Sequence, residues 1–318
     1  MFQYKLYNLV IASDEVFPEL IPNDEVKVNI HVRRASCLET SNTPSRWFMQ
    51  WHLAGGELWL SCAKMDGGYL LRFNELADFF VNNCGAEIVC MSKPEIPQET
   101  VQHLLLDQVI PLVINLKGNE ALHASAILTP QGVVAFAGQA RSGKSTVVGS
   151  FLKAGYSFMS DDCLTLLEKG RNIYAIPAYP GLRLWRDARV YLFENNGAQK
   201  SVAHYTDKLR VDIERKPETY CEEPQPLKGV YIIGDSSEAK GKTNIVIERL
   251  SFKNSFIELI KYTFRLDITD VNMLKRQFNF IEQVVSTVPV NRLTYHRNFS
   301  LLPAVREAIL NDLGNPNN

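Results

Sequence analysis

The sequence has almost no net charge and no long run of apolar residues. Lysine and arginine number 34 against 35 aspartates and glutamates, a formal net charge of −1 at pH 7. Because nucleic-acid binders carry a basic surplus and membrane-surface proteins a basic patch, we expect neither kind of partner. One of the longest apolar runs, residues 109–116, falls well short of the roughly 18 residues that a membrane span needs. The first residues lack the basic segment and apolar core of a signal peptide, which predicts a cytoplasmic protein.

The sequence also lacks a C-x-x-C pair. Its cysteines lie at scattered spacings: Cys37, Cys62, Cys84, Cys90, Cys163 and Cys221. This pattern is typical of buried thiols in a reducing compartment rather than of disulfides or a zinc site. With 318 residues, 46% of them hydrophobic and 22% charged, the chain is expected to form a globular protein of about two domains.

Residues 1–92 carry the pattern of a β-rich domain. A half-buried strand is predicted where apolar residues alternate with polar ones, at Val26, Val28, Ile30 and Val32. Paired glycines at 55–56 and 67–68 predict hairpins. This domain has no nucleotide motif, and its strands offer an edge to which an extended peptide can add. We therefore predict a role in substrate recognition.

Three tryptophans lie close together in this stretch, Trp47, Trp51 and Trp59. They could form a ligand platform. A small aromatic core for a thin β layer is the interpretation we favour, because large aromatic side chains dominate small cores.

Residues 93–318 carry the pattern of an α/β domain. Apolar residues recur at helical spacing across 101–116, where Pro111 predicts a kink or a split. Strands are predicted at 133–137 and 229–233, and helices near 145–154, 251–263, 271–286 and 299–313. Residues 194–226, rich in polar residues and proline, indicate a long loop or a small insertion. The expected fold is therefore mixed α/β, a β-rich domain followed by an α/β core.

The strongest motif is a phosphate loop at residues 138–145, which matches G-x-x-x-x-G-K-[ST] between an apolar strand and an amphipathic helix. Glycines let successive backbone N–H groups point at a phosphate at the start of a helix. Lys144 supplies a mobile charge for the β- and γ-phosphates, and Ser145 offers a hydroxyl to Mg²⁺. The predicted cofactors are ATP and Mg²⁺. The residues expected to hold them are Gly138, Ala140, Arg141, Ser142, Gly143, Lys144, Ser145 and Thr146.

An acid pair, Asp161 and Asp162, follows the next predicted strand. Ligands of α/β sheets collect at the carboxyl ends of strands, so the pair is expected beside the loop. One carboxylate can accept a proton while its neighbour holds the metal; an acidic surface turn is the alternative interpretation. Asp235, after the apolar run 230–233, is a second candidate for the metal. The sequence has no N-K-x-D, D-x-x-G or L-S-G-G-Q motif, which argues against standard GTPases and ABC transporters.

These residues resemble the HPr kinase/phosphorylase family of P-loop kinases, whose core is similar to the nucleotide site of phosphoenolpyruvate carboxykinase. The matching block runs from Leu-His-Ala-Ser at 122–125, through the loop, to Ser-Asp-Asp at 160–162. It covers about 120–190 well and 228–312 weakly. The whole chain resembles stand-alone relatives, some of which phosphorylate the C-terminal serine of a lasso-peptide precursor.

The resemblance implies particular roles for the site residues. It makes Asp161 the general base, assigns Asp162 and Ser145 to Mg²⁺, and brings His123 near the reacting phosphate with Lys144. Three further cations either contact phosphate or an acidic substrate or are ordinary solvated charges: Arg183, Lys208 and Arg210. The family carries a glutamate before the glycine that corresponds to Gly181, and this sequence has none. This difference favours a dedicated kinase over reverse phosphorolysis.

Three functions remain open from the sequence. The leading one is an ATP- and Mg²⁺-dependent kinase that phosphorylates a serine hydroxyl of a peptide or protein. The second is a kinase of a small hydroxyl metabolite such as free serine. The third is a nucleotide-sensing regulator that binds ATP without transfer, although binding alone needs no proton acceptor. The acceptor is not specified by any motif, and the parent family implies a homo-oligomer.

Overall fold

The computed structural model describes residues 1–25, 27–36, 44, 46–53, 55–193, 200–234 and 245–314. The fold is mixed α/β, as the sequence predicts. Two compact units divide the chain. The first comprises Met1–Asn119, Val202–Tyr205 and Arg265–Lys275. The second comprises Glu120–Ser201, Thr206–Phe264 and Arg276–Asn318. Val26, Cys37 and Asp235 lie outside the described residues.

The first unit is built on one sheet in the order β3-β1-β2-β4-β9-β8-β7-β6-β5. Its strands are β1 (Phe2–Leu6), β2 (Leu9–Ser13), β3 (Ile21–Pro22), β4 (Ile30–Arg34), β5 (Trp47–His52), β6 (Leu58–Met65), β7 (Gly68–Phe73), β8 (Ala77–Asn82) and β9 (Glu87–Ser92). Antiparallel pairing of β5 with β6 and of β6 with β7 confirms the predicted hairpins.

The first predicted strand begins later than expected. β4 begins at Ile30, where its parallel pairing with Ile11 of β2 starts. Just before it, the Asn29 side chain accepts the N–H of Val10 at 2.7 Å, while Asn29 N–H bonds to the Val10 carbonyl at 2.8 Å. The Asn29 side chain occupies the backbone position that a longer strand would use, so residues 27–29 form no strand.

The aromatic-core interpretation holds for two of the three tryptophans. Trp47 packs against a buried cluster of Leu70, Val89 and Met91. Trp59 lies edge-on to Phe73, with ring centroids 5.6 Å apart. Trp51 is different, because 48% of its surface is exposed.

The helical stretch after Pro97 is split in three. Its parts are α1 (Gln98–Leu104), a π-helical turn (Leu105–Val109) and α2 (Ile110–Leu116). Pro111 stands at the start of α2. Because proline has no N–H to give, the α-helical pattern cannot pass unbroken through it, as the sequence predicts. This stretch belongs to the first unit, whereas the sequence placed it at the start of the second domain.

The second unit is built on a mixed sheet in the order β10-β14-β15-β19-β12-β11-β13, with β21 beside β19 and β20 beside β21. Its strands are β10 (Glu120–Leu122), β11 (Ala124–Thr129), β12 (Gly132–Ala137), β13 (Ser157–Ser160), β14 (Leu164–Lys169), β15 (Asn172–Ile176), β19 (Gln225–Ile233), β20 (Val246–Arg249) and β21 (Val290–Thr294). The pairs β12–β19 and β19–β21 are parallel. Their buried aliphatic side chains form the core, as is usual for parallel strands.

A small second sheet occupies part of the predicted insertion. Its order is β16-β18-β17, with β16 at Gly181–Trp185, β17 at Lys200–Ser201 and β18 at Lys208–Asp212. Elsewhere in the described residues, the helices are α3 (Lys144–Lys153), α4 (Arg186–Phe193), α5 (Phe252–Ile260), α6 (Val271–Thr287) and α7 (Leu302–Gly314), with a 3-10 turn at Phe299–Leu301.

The described cysteines are free thiols. Cys62, Cys90, Cys163 and Cys221 are buried and Cys84 is exposed. Burial raises the pKa of the Cys62 and Cys90 thiols to about 12, so they stay protonated and unreactive at neutral pH. Among the described helices, none is long and apolar enough to cross a membrane.

Candidate active site

The phosphate loop connects β12 to α3 in the second unit. Gly138 has a φ of +156°, and a Cβ there would lie 2.6 Å from the Ser142 Oγ. Gly143, directly before the helix, has a φ of +100°. Both positions need glycine, the first for space and the second for its left-handed backbone. Arg141 is also left-handed, with a φ of +63°. The loop is therefore wound tightly enough to turn its backbone around a small anion.

Two buried polar groups line this loop. The Ser142 Oγ is buried and has no hydrogen-bond partner among the described residues. Lys144 is only 5% exposed, and its Nζ donates to the carbonyls of Gly138 at 3.1 Å and Gln139 at 3.3 Å. Burial lowers the pKa of the Lys144 ammonium. An unpartnered hydroxyl and a buried ammonium in a glycine cradle fit a phosphate group.

Asp161 follows the last residue of β13 and is deeply buried. Its Oδ1 accepts from the Ser125 Oγ at 2.6 Å and the Ser145 Oγ at 2.7 Å. Its Oδ2 accepts from the Arg183 N–H at 3.0 Å. Burial, together with the neighbouring Asp162 charge, raises the pKa of the Asp161 carboxyl. Three donors thus anchor this carboxylate beside the first turn of α3.

Asp162 has a left-handed backbone, with a φ of +60°, and its side chain makes different contacts. Its Oδ2 lies 3.2 Å from the Lys208 Nζ, and 18% of the side chain is exposed. Although burial opposes ionisation, the positive charges of Lys208 and Lys144 hold the pKa of the Asp162 carboxyl far below its usual range. The sequence assigned Ser145 and Asp162 to one metal. In the structure, the Ser145 hydroxyl bonds to Asp161 instead.

His123 connects the lysine and the acid pair. Its Nε2 lies 3.2 Å from the Lys144 Nζ, and its Nδ1 lies 2.9 Å from the Asp162 carbonyl oxygen. An ammonium only donates and a carbonyl only accepts, so Nε2 accepts and Nδ1 carries the proton. Burial and the Lys144 charge lower the pKa of His123, in keeping with a neutral ring. His123 therefore positions the other two residues.

The structure places the remaining predicted contact residues in different settings. Arg183 is 2% exposed, and its guanidinium lies 5.2 Å from the Tyr179 ring centroid. Arg210 donates to Asp212 at 2.7 Å rather than to the acid pair. Ala140 and Arg141 are exposed in the loop, and Thr146 is half-buried in α3. The second metal candidate, Asp235, lies outside the described residues.

Two residues at this site, Ser125 and Trp185, were given no role from the sequence. Ser125 donates to Asp161, and its signal was a polar residue inside an otherwise apolar strand. Trp185 has the Arg141 guanidinium 4.6 Å from its ring centroid. No local sequence pattern could predict the contact between Arg141 and Trp185, because the two residues are 44 positions apart (185 − 141).

No family model matches the chain, and no curated protein matches it either. Among solved structures, it is similar to the HPr(Ser) kinase/phosphatase from Coxiella burnetii, with 10% sequence identity and a TM-score of 0.31. The match covers 60% of this chain and 97% of that chain. A similarity of this size assigns neither a family nor an activity, which leaves the geometry of the site itself.

Proposed function

We propose that the chain is an ATP- and Mg²⁺-dependent phosphotransferase that phosphorylates a serine hydroxyl of a peptide or protein. One observation carries the proposal: a glycine cradle with a buried lysine and an unpartnered buried serine lies next to a buried pair of aspartates. A regulator that only binds nucleotide would not need the acid pair. Phosphoryl transfer, by contrast, needs cations that neutralise the negative charge of the transition state and, beside them, a group that accepts the proton of the hydroxyl.

The loop residues fit the nucleotide phosphates. The backbone of residues 138–143, the Ser142 Oγ and the Lys144 Nζ would hold the β- and γ-phosphates, and the Ser145 Oγ would hold Mg²⁺. A bound Mg²⁺ would neutralise part of the negative charge of the phosphates. The Lys144 Nζ is already confined by two loop carbonyls and by His123. It needs only to exchange these carbonyls for phosphate oxygens.

From their contacts we infer a different task for each member of the acid pair. Asp161 is anchored by Ser125 and Ser145 and has little exposure, so we assign it to the metal side of the site. Asp162 is partly exposed and has no serine contact among the described residues, so we assign its carboxylate to accept the proton of the acceptor hydroxyl. This assignment is the reverse of the roles that the resemblance implies. It rests on reach, because a base must first be within hydrogen-bond distance of its proton.

Lys208 is the cation closest to the proposed base. Although burial opposes it, the charges of Asp162 and Asp161 raise the pKa of the Lys208 ammonium, so it stays charged at neutral pH. It orients the Asp162 carboxylate until the acceptor arrives. His123, with its proton on Nδ1, keeps the Lys144 ammonium from drifting away from the loop.

The acceptor that we propose is a serine in a peptide, of which the C-terminal serine of a lasso-peptide precursor is the case that the resemblance implies. We propose that the first unit takes part in recognising it. In support, β5 lies at the edge of its sheet and exposes Trp51. An edge strand can pair with an extended peptide through its backbone.

The test is phosphoryl transfer from labelled ATP, with Mg²⁺, to serine peptides and to free serine. Lys144→Met should lose transfer by about a hundredfold or more, because it removes a preorganised charge. Lys153→Met is the matched control, since Lys153 stands exposed at the other end of α3. Wild-type turnover in Lys144→Met would refute the site. Transfer to free serine alone would favour a metabolite kinase, and tight ATP binding with no transfer would favour a regulator.

A further inference from the structure

The small sheet of the second unit carries its basic side chains on one face. Residues directly opposite each other in an antiparallel pair project to the same face. Arg183 lies opposite Arg210, and Trp185 lies opposite Lys208. Lys200 of β17 also lies opposite Arg210. These five residues form what we call the basic face, with four cationic groups and one indole.

The basic face borders the proposed reaction centre. The backbone N–H of Arg183 donates to the Asp161 Oδ2, and the side-chain Nζ of Lys208 lies 3.2 Å from the Asp162 Oδ2. The indole of Trp185 is covered by Arg141 of the phosphate loop. An anion bound to this face would therefore lie beside both the acid pair and the loop.

At the outer end of the basic face, two cations share one carboxylate. The Arg210 Nε donates to the Asp212 Oδ1 at 2.7 Å, and the Lys200 Nζ donates to its Oδ2 at 2.9 Å. The Lys200 and Asp212 side chains are 57% and 55% exposed. The Lys200–Asp212 pair is exposed on both sides and contributes little, so a ligand carboxylate can join it at small cost; the Arg210 side chain beside it is 12% exposed.

Resting on the proposed kinase function, we propose that the basic face binds a carboxylate of the acceptor, and that the acceptor is an acidic peptide. Lys208 and Arg210 are two residues apart in β18, which corresponds to about 7 Å along a strand. The same interval separates side chains i and i+2 of an extended peptide. A serine whose hydroxyl lies at Asp162 thus brings the side chain two positions away near Arg210. The preferred acceptor carries Asp or Glu there.

The test measures peptide affinity, so it does not depend on turnover. Fluorescein-labelled nonapeptides with one central serine are titrated against the full chain in the presence of ADP and Mg²⁺. One peptide has Glu at both positions two residues from the serine, a second has Gln there, and a third is the Glu peptide with a C-terminal amide. We expect the Glu peptide to bind about tenfold more tightly than the Gln peptide, amidated or not.

Variants assign this preference to the basic face. Arg210→Gln should remove the preference, and Arg210→Lys, which keeps the charge, should retain part of it. Lys253→Gln, at an exposed lysine of α5, is the matched control and should keep it in full. Circular dichroism of each variant checks that it folds.

Several results would overturn the inference. Equal affinities for the Glu and Gln peptides would overturn it, and an unchanged preference for the Glu peptide in Arg210→Gln would also overturn it. Tighter binding that vanishes on amidation would place the carboxylate at the peptide terminus and overturn the spacing. A parallel loss of ADP affinity in Arg210→Gln would assign the face to the nucleotide. ADP affinity, measured separately by calorimetry, distinguishes the failures: no ADP binding refutes the kinase itself, whereas ADP binding without a peptide preference refutes only this inference.

Discussion

The three groups that donate to the Asp161 carboxylate come from different parts of the chain. Ser125 lies in β11, Ser145 in α3 and Arg183 in β16, yet each donates to the same carboxylate. The sequence predicts the loop and the acid pair because each is a contiguous motif with its own chemistry. It does not predict which aspartate contacts Ser145, because a shift of one residue in the strand register would turn each aspartate side chain to the opposite face. The catalytic roles therefore stay predictions, now assigned by contact.

Substituting the two aspartates separately tests that assignment. Asp162→Asn should keep metal affinity and lose phosphoryl transfer by about 10² to 10⁴-fold, the usual contribution of a positioned base. Asp161→Asn should weaken Mg²⁺ binding, so that raising Mg²⁺ restores part of its rate. The measurement is the rate as a function of Mg²⁺ for both variants and the wild type. Rescue of Asp162→Asn by Mg²⁺, with none for Asp161→Asn, would restore the roles that the resemblance implies.

At the scale of elements, the prediction succeeds where strand and helix alternate around the loop. β12 and α3 lie within one residue of their predicted bounds, because a glycine-containing turn separates each periodic segment from the next. It is wrong at residues 27–29, where side-chain bonding by Asn29 delays the start of the strand to Ile30. It also misses β17 and β18, since β17 has only two residues and the pairing of β18 with β16 is non-local.

The loop itself offers an element-scale prediction. In Gly138→Ala, the added methyl group would lie 2.6 Å from the Ser142 Oγ and 3.3 Å from the Ile233 carbonyl oxygen, on a backbone with a φ of +156°. We expect at least about a tenfold loss of ADP affinity and a cost of about 1–3 kcal/mol in the free energy of unfolding. Calorimetry and denaturant titration measure the two.

Gly170→Ala is the matched control for this substitution. Gly170 has a φ of +68° in the same unit, but nothing lies within 4 Å of its added Cβ. It should lose stability through backbone strain alone and keep its ADP affinity. Equal ADP affinities in the two variants would show that the cradle does not depend on the space at Gly138.

At the scale of the whole molecule, each unit takes in residues far apart in sequence. Asp267 belongs to the first unit and is fully buried there. Its carboxylate accepts from the Lys64 Nζ at 2.7 Å, the Tyr69 Oη at 3.3 Å and the Thr269 N–H at 2.8 Å. The sequence suggests no such link, because hydrophobic periodicity describes neighbouring residues and not returns of the chain. From the sequence we predict a continuous domain over residues 1–92. The role of those residues in substrate recognition stays a prediction.

This cluster makes the stability of the first unit depend on pH. Although burial opposes it, the bonds from Lys64 and Thr269 hold the pKa of the Asp267 carboxyl below its usual value. Its stabilisation is therefore complete above the unfolded pKa of about 3.9 and is lost as the pH falls through the lower folded pKa. Asp267→Asn should lower Tm at pH 7 and show a smaller further loss of Tm between pH 5 and pH 3 than the wild type. Asp66→Asn, at an exposed turn of the same unit, should follow the wild type. An acid response in Asp267→Asn as steep as that of the wild type would contradict the role of this cluster.

The discontinuity of the first unit also orders events during synthesis. Segments leave the ribosome from the N-terminus onward, and N-terminal domains generally fold first. Here Met1–Asn119 emerges long before Arg265–Lys275, the stretch that brings Asp267 to Lys64 and Tyr69. The nascent sheet must wait for most of the remaining chain before this buried carboxylate arrives. A transcript truncated before residue 265 is therefore expected to yield a polypeptide that is held by chaperones and degraded, rather than a free-standing N-terminal module.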